Sequence, residues 1–472
     1  MIPHFIGGEA RESQEVFEDI DPWTQKKHED VALGGQAEVD AAVGSARAAF
    51  DEGPWPRMGY AERGVLLHRL ADLIEENIES LAAADSRDMG KPMTAMRAKD
   101  VPRSAYNFRF FADHARLATA DRYPMDSGHH AYCAYDPAGV VAAIAPWNFP
   151  LMLETWKVAP ALAWGNTVVL KPAEDTPASA TLLAELAMKA GFPPGVLNVV
   201  HGFGPNSAGE FLTNHSGVNR ITFTGESGTG RIIGQAGAKR LVPVSLELGG
   251  KGANIVFEDA DLDEAVKWSD KAIFTNAGQV CLAGSRLYVQ RSVYDAFVER
   301  FVASAEKHVV GDPNAEDTTI GPLSSRTHFE KVRGYVDGLG DDGRLLTGGA
   351  MTDGSWAVKP TVIVDPKANA RCMREEIFGP VVAITPFDTE DEAVRLANDT
   401  PYGLNAMLFT ESLRRAHRVS ANLRAGTVWV NCFFVRDLRA PFGGVGDSGL
   451  GREGGDFSRE FFTEPKAVVM EI

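Results

Sequence analysis

From Gly139 onward, short Val- and Ile-rich runs alternate with segments long enough to be helices, and this alternation constrains the fold more than any other feature. Residues 139–145 (GVVAAIA), 166–170 (NTVVL), 196–200 (VLNVV) and 220–223 (RITF) are strand-like. Between them, 151–163, 177–189 and 206–212 are each long enough for a crossover helix. Strand alternating with helix gives a parallel sheet covered on both faces, and right-handed crossovers make it doubly wound. A second α/β segment follows Gly249, with strands expected at 254–257, 286–290 and 427–433 and a helix at 261–277. Upstream, Leu66, Leu70, Leu73, Ile74, Ile78 and Leu81 recur at helical spacing and predict one amphipathic helix over 61–84. The final run 467–472 (AVVMEI) is an apolar strand that needs a sheet edge to bury it, and an edge on another subunit would serve.

A chain of 472 residues exceeds one ordinary domain. Lys+Arg 47 against Asp+Glu 64 gives a formal charge of −17. That surplus opposes non-specific binding to nucleic acid or anionic lipid, while leaving room for a local basic pocket. No apolar run reaches the ~18 residues that span a bilayer, and the first residues carry no secretory signal pattern. Cys133, Cys281, Cys372 and Cys432 lie far apart with no CxxC pair, which fits a reducing cytoplasm better than a disulfide framework. No HExxH, Cys/His cluster or EF-hand loop supports metal catalysis, and the pair His129 and His130 reads as an exposed turn.

An unusual turn follows each strand of the first sheet: PWNFP at 146–150, KPAE at 171–174, HGFGP at 201–205 and TGE at 224–226. Turns use Gly and Pro in any fold. Four such turns at the carboxyl edge of one parallel sheet, where open α/β sheets bind ligands, point instead to a site.

These turns belong to a longer series: PWN at 146–148, KPAE at 171–174, FTG at 223–225, LELGGK at 246–251, GQVC at 278–281, EEIFGP at 375–380 and PFGG at 441–444. In this order and spacing they resemble the aldehyde dehydrogenase superfamily along essentially the whole chain. Cys281 by itself would read as a small buried hydrophobe, and Glu247 by itself as a strand-end glutamate capping a glycine turn. The resemblance makes Cys281 the nucleophile, because a thiolate is the strong nucleophile available near neutral pH. It implies attack on the aldehyde carbon, an oxyanion held by the Asn148 side-chain amide and the Cys281 backbone N–H, and hydride loss to a nicotinamide to leave a thioester. Glu247 then activates the hydrolytic water. Its flanking leucines, Leu246 and Leu248, suit a carboxyl with a raised pKa.

For the cofactor, the resemblance places Lys171 and Glu174 on the adenine ribose, Trp147 beside the cofactor, Glu376 on the nicotinamide ribose and Phe378 near the ring. Ala145, Pro146, Ala173, Gly204, Phe223, Thr224, Gly225, Glu226 and Leu248 complete the expected site. A carboxylate at Glu174 repels a 2′-phosphate, so NAD is expected over NADP. Glu226 departs from the serine that many relatives carry at the start of this helix, where an acid suits the helix but competes with phosphate. Gly444, Gly446 and Gly449 satisfy GxGxxG, yet no strand directly precedes them and no apolar-periodic helix follows, so the match reads as a decoy.

The same resemblance divides the chain into an NAD-binding domain (1–121 and 139–248), a catalytic domain (249–444) and an oligomerisation element (122–138 and 455–472) of a homodimer or homotetramer. Three segments are expected to line the substrate tunnel: 101–107, 149–156 and 434–439. They bring Phe149 and Trp156 together with Arg103, Arg436 and Arg439. Arginines suit a substrate carboxylate, although surface salt bridges, Arg436 with Asp437 for instance, would explain them as well. The patterns VPRxAxNFxFFAD and VRDLRxPFGG look most like the muconic-semialdehyde branch, with its 2-hydroxymuconic, 2-aminomuconic and carboxymethyl-hydroxymuconic members. An acidic semialdehyde is therefore the expected substrate. A broad-specificity or betaine-type enzyme is the alternative, and a catalytically silent structural relative is the non-enzymatic one.

Overall fold

The structure, a computed structural model, describes residues 1–351 and 353–471. Val140–Ile144, Thr167–Lys171 and Leu197–Val199 form parallel strands whose residues are all buried. Unbroken burial is what a parallel sheet clad on both faces demands, and it explains why these strands read as continuous apolar runs. Arg220–Thr224 and Val244–Glu247 extend the sheet from the other side of Val140–Ile144. The strand order therefore reverses between Val140–Ile144 and Arg220–Thr224, which is where such a sheet opens a crevice. Antiparallel edges complete eight strands: His4–Ile6 with Glu9–Arg11 on one side and Gly449–Leu450 on the other.

A second, seven-stranded sheet runs in the order Arg344–Ala350, Val358–Val364, Val381–Phe387, Arg286–Gln290, Ala253–Val256, Asn405–Phe409, Thr427–Val430. All its pairings are parallel except the first. Thr463–Met470 pairs antiparallel with His130–Pro137 in a separate three-stranded sheet. The expected terminal strand thus finds its edge within the same chain, and Ile472 lies outside the described residues.

Three sequence expectations change. The helix expected over 61–84 is two helices, Tyr60–Glu76 and Ile78–Met89. Asn77 separates them, donating its side-chain amide to the Leu73 carbonyl at 2.8 Å and ending the first helix. The helix expected at 261–277 stops at Phe274, because Asn276 and Ala277 adopt left-handed backbone angles (φ 54° and 53°). The strand expected at 427–433 ends at Val430, where Asn431 turns left-handed (φ 54°). The last two breaks aim loops at the site described next.

Candidate active site

A cleft of about 810 Å³ opens at the reversal point of the first sheet. Every expected cofactor residue lines it: Ala145, Pro146, Trp147, Lys171, Ala173, Glu174, Gly204, Phe223, Thr224, Gly225, Glu226, Leu248, Glu376 and Phe378. Lys171 is buried, donating to the Pro172 carbonyl at 2.9 Å and to Glu174 at 3.4 Å. Glu376 accepts the Gly250 N–H at 2.8 Å, and burial pushes its pKa up to about 7. Gly249 must lack a side chain, since a Cβ there would meet a Glu376 carboxylate oxygen at 2.1 Å. The helix Ser227–Arg240 begins at the cleft, so its free N–H groups face the cavity. A buried ammonium beside a carboxylate, a second carboxylate and a helix N-terminus form the donor set that a dinucleotide requires: partners for ribose hydroxyls and for a pyrophosphate.

Glu226 turns away from that helix end. Its side chain is 75% exposed and reaches Lys331 at 3.3 Å, on the helix Arg326–Asp337. Sequence reasoning missed two residues of this wall, Lys331 and His328. His328 donates Nε2–H to the Phe378 carbonyl at 2.8 Å, and burial holds its pKa down at about 4, so the ring is neutral. Trp147 packs on both His328 and Phe378, with ring centroids 4.9 and 5.3 Å away.

Cys281 and Asn148 share the inner end of the cleft. The loop before Cys281 is strained at Asn276 and Ala277. Its hydrogen bonds hold it there: Asn276 Nδ2 donates to the Asn148 carbonyl at 2.7 Å, and Asn148 Nδ2 donates to the Gln279 carbonyl at 2.9 Å. Only glycine fits at 278, where a Cβ would lie 2.1 Å from the Gly379 carbonyl oxygen. An amide nitrogen carries two hydrogens, so Asn148 keeps one for an oxyanion after satisfying the loop. Cys281 is exposed only to the narrow cleft, and loss of water pushes its thiol up to about 12, followed by the charges of Glu376 and Glu247. Arg436 and the cysteine's own backbone N–H pull the other way.

Glu247 ends the strand Val244–Glu247 and is 3% exposed, with neither carboxylate oxygen hydrogen-bonded. Burial and then Glu453 raise its pKa well above the carboxylate range, against Lys157, Arg436 and Arg452. Glu453 and Lys157 are also residues that sequence reasoning missed. They form a buried ion pair of 3.0 Å, with Thr222 Oγ1 and the Trp156 indole N–H donating to the same carboxylate at 3.3 and 2.6 Å. Residues 446–448 form a short 3₁₀ turn leading into Gly449, which pairs with Glu247. The GxGxxG match is therefore part of a sheet edge beside the carboxylate and does not line the cofactor cleft.

On the other side of the Asn148 and Asn276 contact lies a second cavity of about 550 Å³, lined by Arg103, Phe149, Trp156, Phe434 and Arg436 among others. All three segments expected in a substrate tunnel contribute to it. Arg436 lies over the rings of Phe442 and Trp156, at 3.7 and 5.1 Å, with no carboxylate in ion-pair reach among the described residues. Arg103 lies 5.8 Å from Trp156 and donates to Asn107 at 3.0 Å. Arg439 differs from expectation: it is 74% exposed, pairs with Asp437 at 2.6 Å and does not line the cavity. The two-residue spacing lets Asp437 hold Arg439 outward while Arg436 points in.

Residues 9–468 match the Aldehyde dehydrogenase family. The chain is 48% identical to a 2-hydroxymuconic semialdehyde dehydrogenase of Pseudomonas sp. (strain CF600), covering all of this chain and 99% of that protein. It is 46% identical to a 2-aminomuconic 6-semialdehyde dehydrogenase of Pseudomonas sp., over 99% and 98% of the two chains. An aldehyde dehydrogenase from Bacillus cereus, solved in complex with NAD+, superposes with a TM-score of 0.97 at 40% identity, over 100% of this chain and 96% of that one. The protein belongs to the aldehyde dehydrogenase family.

Proposed function

We propose that the protein oxidises an acidic semialdehyde, of the muconic type formed by aromatic ring cleavage, to the carboxylic acid with NAD as cofactor. The observation that carries the substrate class is the pair of cations without a carboxylate partner, Arg103 and Arg436, around Trp156 beside the reacting cysteine. The names of the relatives at 46–48% identity support the same class. NAD is supported by the donor set of the cleft, by the Glu174 carboxylate that would repel a 2′-phosphate, and by the NAD+ complex of the Bacillus cereus relative. Bound NAD supplies the hydride acceptor.

The chain's own residues do the rest. Cys281 attacks the aldehyde carbon as the thiolate, after its proton has been lost to water, and the oxygen that becomes negative accepts from Asn148 Nδ2–H and the Cys281 N–H. Pre-aimed donors in a site shielded from water stabilise that charge more than water does. Once the tetrahedral adduct has lost hydride, the thioester left on Cys281 is hydrolysed by a water whose proton passes to Glu247, and the Cys281 thiolate leaves. A carboxyl with a raised pKa is a stronger base once ionised, and Glu247 gains that strength from burial and from Glu453. The Lys157–Glu453 pair next to it offers the proton a further acceptor, Glu453.

The three largest of the four sheets support the division into cofactor (1–121 and 139–248), catalytic (249–444) and oligomerisation (122–138 and 455–472) units. Tyr123, Val469 and Met470 expose apolar surface on the small sheet, which suits a homodimer or homotetramer. Four free cysteines suit the cytoplasm; among the described residues no helix is long and apolar enough to cross a membrane.

The test is a panel of acidic, neutral and cationic aldehydes, with NADH formation as the readout, repeated with Arg103→Ala and Arg436→Ala. Preference for the acidic aldehyde, with KM raised in both variants, is the expected result. Equal use of a neutral aldehyde, with KM for the acid unmoved by either substitution, would overturn the reading.

A further inference from the structure

The substrate-side cavity concentrates positive charge in a chain whose formal charge is −17. Its two lining carboxylates are already committed: Asp100 pairs with Lys91, and Asp270 pairs with His308 at 3.1 Å. Lys99, Arg103, Lys271 and Arg436 also line it, and none has an ion-pair partner among the described residues. They fall into two tiers. Arg103 and Arg436 are partly buried and flank Trp156. Lys99 and Lys271 are exposed and stand at the solvent side.

The outer pair is built from two separate elements. Lys99 lies four residues before Arg103, in the π-helical segment Met96–Asp100 that leads into Val101–Arg116, so the two share a helix face. Widened turns of this kind recur at functional sites. Lys271 comes from the helix Leu262–Phe274, whose Phe274 lines the same cavity, and its ammonium lies 4.7 Å from the Trp268 ring. Burial, then Lys99, then Lys267 push the Lys271 pKa down, so Lys99 and Lys271 feel each other's charge. Lys267 is held by Glu264 at 2.9 Å, whereas Lys99 and Lys271 have no ion-pair partner among the described residues. Lysines brought together across a cavity mouth with no carboxylate in ion-pair contact oppose folding slightly, and an anion between them relieves that repulsion.

We propose that Lys99 and Lys271 form an outer carboxylate subsite, so that the preferred substrate is a semialdehyde with two carboxylates, one for the arginines and one for the lysines. This rests on the acidic-semialdehyde reading above. The division of labour suits the side chains: planar guanidinium groups fix the inner carboxylate geometrically, while ammonium point charges hold a distal group in several orientations.

The test compares kcat/KM for three aldehydes of one chain length, carrying no carboxylate, one and two, in the wild type and in Lys99→Gln/Lys271→Gln. The expected result is a wild-type preference for two carboxylates over one. The double variant should lose about tenfold of that preference, roughly the effect of two partly screened charges, with the loss in KM and not in kcat. Lys99→Arg/Lys271→Arg should keep the preference, which separates charge from folding. Equal losses for both acids would mean general attraction of anions and would overturn the second subsite. An unmoved ratio would mean a solvated basic face and would overturn it as well. If the wild type uses the aldehyde without a carboxylate as well as the two acids, the acidic reading itself fails, a different outcome from either of these.

Discussion

The two cavities on either side of the Asn148 and Asn276 contact treat charge differently. In the cofactor cleft most ionic groups are already partnered, Lys171 with Glu174, Lys331 with Glu226 and Glu376 with the Gly250 N–H, and Lys239 is the lining lysine without an ion pair among the described residues. In the second cavity Lys99, Arg103, Lys271 and Arg436 have no ion-pair partner among the described residues. A partnered site is set for a ligand whose shape and charge are constant, and it exchanges one hydrogen bond for another when that ligand arrives. An unpartnered cationic cavity gains most from a ligand that brings negative charge, so it discriminates by charge.

The reacting group between the two cavities should give the largest effect. Cys281→Ala should lower turnover by about ten-thousandfold or more, since no other thiol lines the cleft among the described residues. NAD binding, followed by protein fluorescence, should survive; loss of both together would mean that the cysteine organises the cleft instead.

Glu247→Gln should lower kcat by roughly a hundredfold or more while leaving a burst of NADH, because the acyl-enzyme forms and then stalls. Its pH dependence has a definite sign. Glu247 acts as a base only when ionised, and burial and Glu453 raise its pKa, so hydrolysis should rise with pH through a window above the ordinary carboxylate range. Lys157 lowers that pKa and also neutralises Glu453. Lys157→Met should therefore move the rising limb to higher pH. A limb that stays in place or moves down would remove the buried pair from the proton path.

Arg436→Met sharpens the contrast between the cavities. Losing a guanidinium partner for a substrate carboxylate should cost ~2 kcal/mol or more, seen as about a 30-fold rise in KM for an acidic aldehyde. Arg439→Ala should stay within about twofold, since exposed pairs such as Arg439–Asp437 contribute little. The reverse ranking would show that the loop 434–439 turns over on binding.

The smallest effect belongs to the cofactor side. Glu226→Ser removes a negative charge from the start of the helix Ser227–Arg240 and frees Lys331. NAD affinity, measured by calorimetry, should improve by a few-fold, on the order of 1 kcal/mol or less at this exposure, and more at low salt. Weaker binding would mean that the Glu226–Lys331 pair holds the cleft in its binding shape.

Much of this molecule could be read along the chain. The central strands of the first sheet are apolar because both faces are covered, so alternation of runs and helices exposed them. The turns at their carboxyl ends carried most of the residues that line the cleft, since those turns are contiguous in sequence. Legibility failed where structure depends on a few dihedral angles. The break at Asn77 and the left-handed residues Asn276 and Ala277 interrupt apolar periodicity by local hydrogen bonds that periodicity does not encode. It failed too where partners are distant in sequence. Lys157 and Glu453 look like an ordinary helix residue and an ordinary loop residue until the fold buries them together.

The sequence by itself determined the doubly wound sheet and the order of the turns at its carboxyl edge, because each is a property of contiguous residues, and its resemblance to a family singled out Cys281, Asn148 and Glu247. Only the tertiary structure decided which charges are spent and which are free. It turned Arg439 out to Asp437 and left Arg436 facing the cavity, paired Glu226 with Lys331, and drew Lys99 and Lys271 to one mouth. A charge acts through its distance to other charges and through the water around it, and both are set by the fold and not by position in the chain.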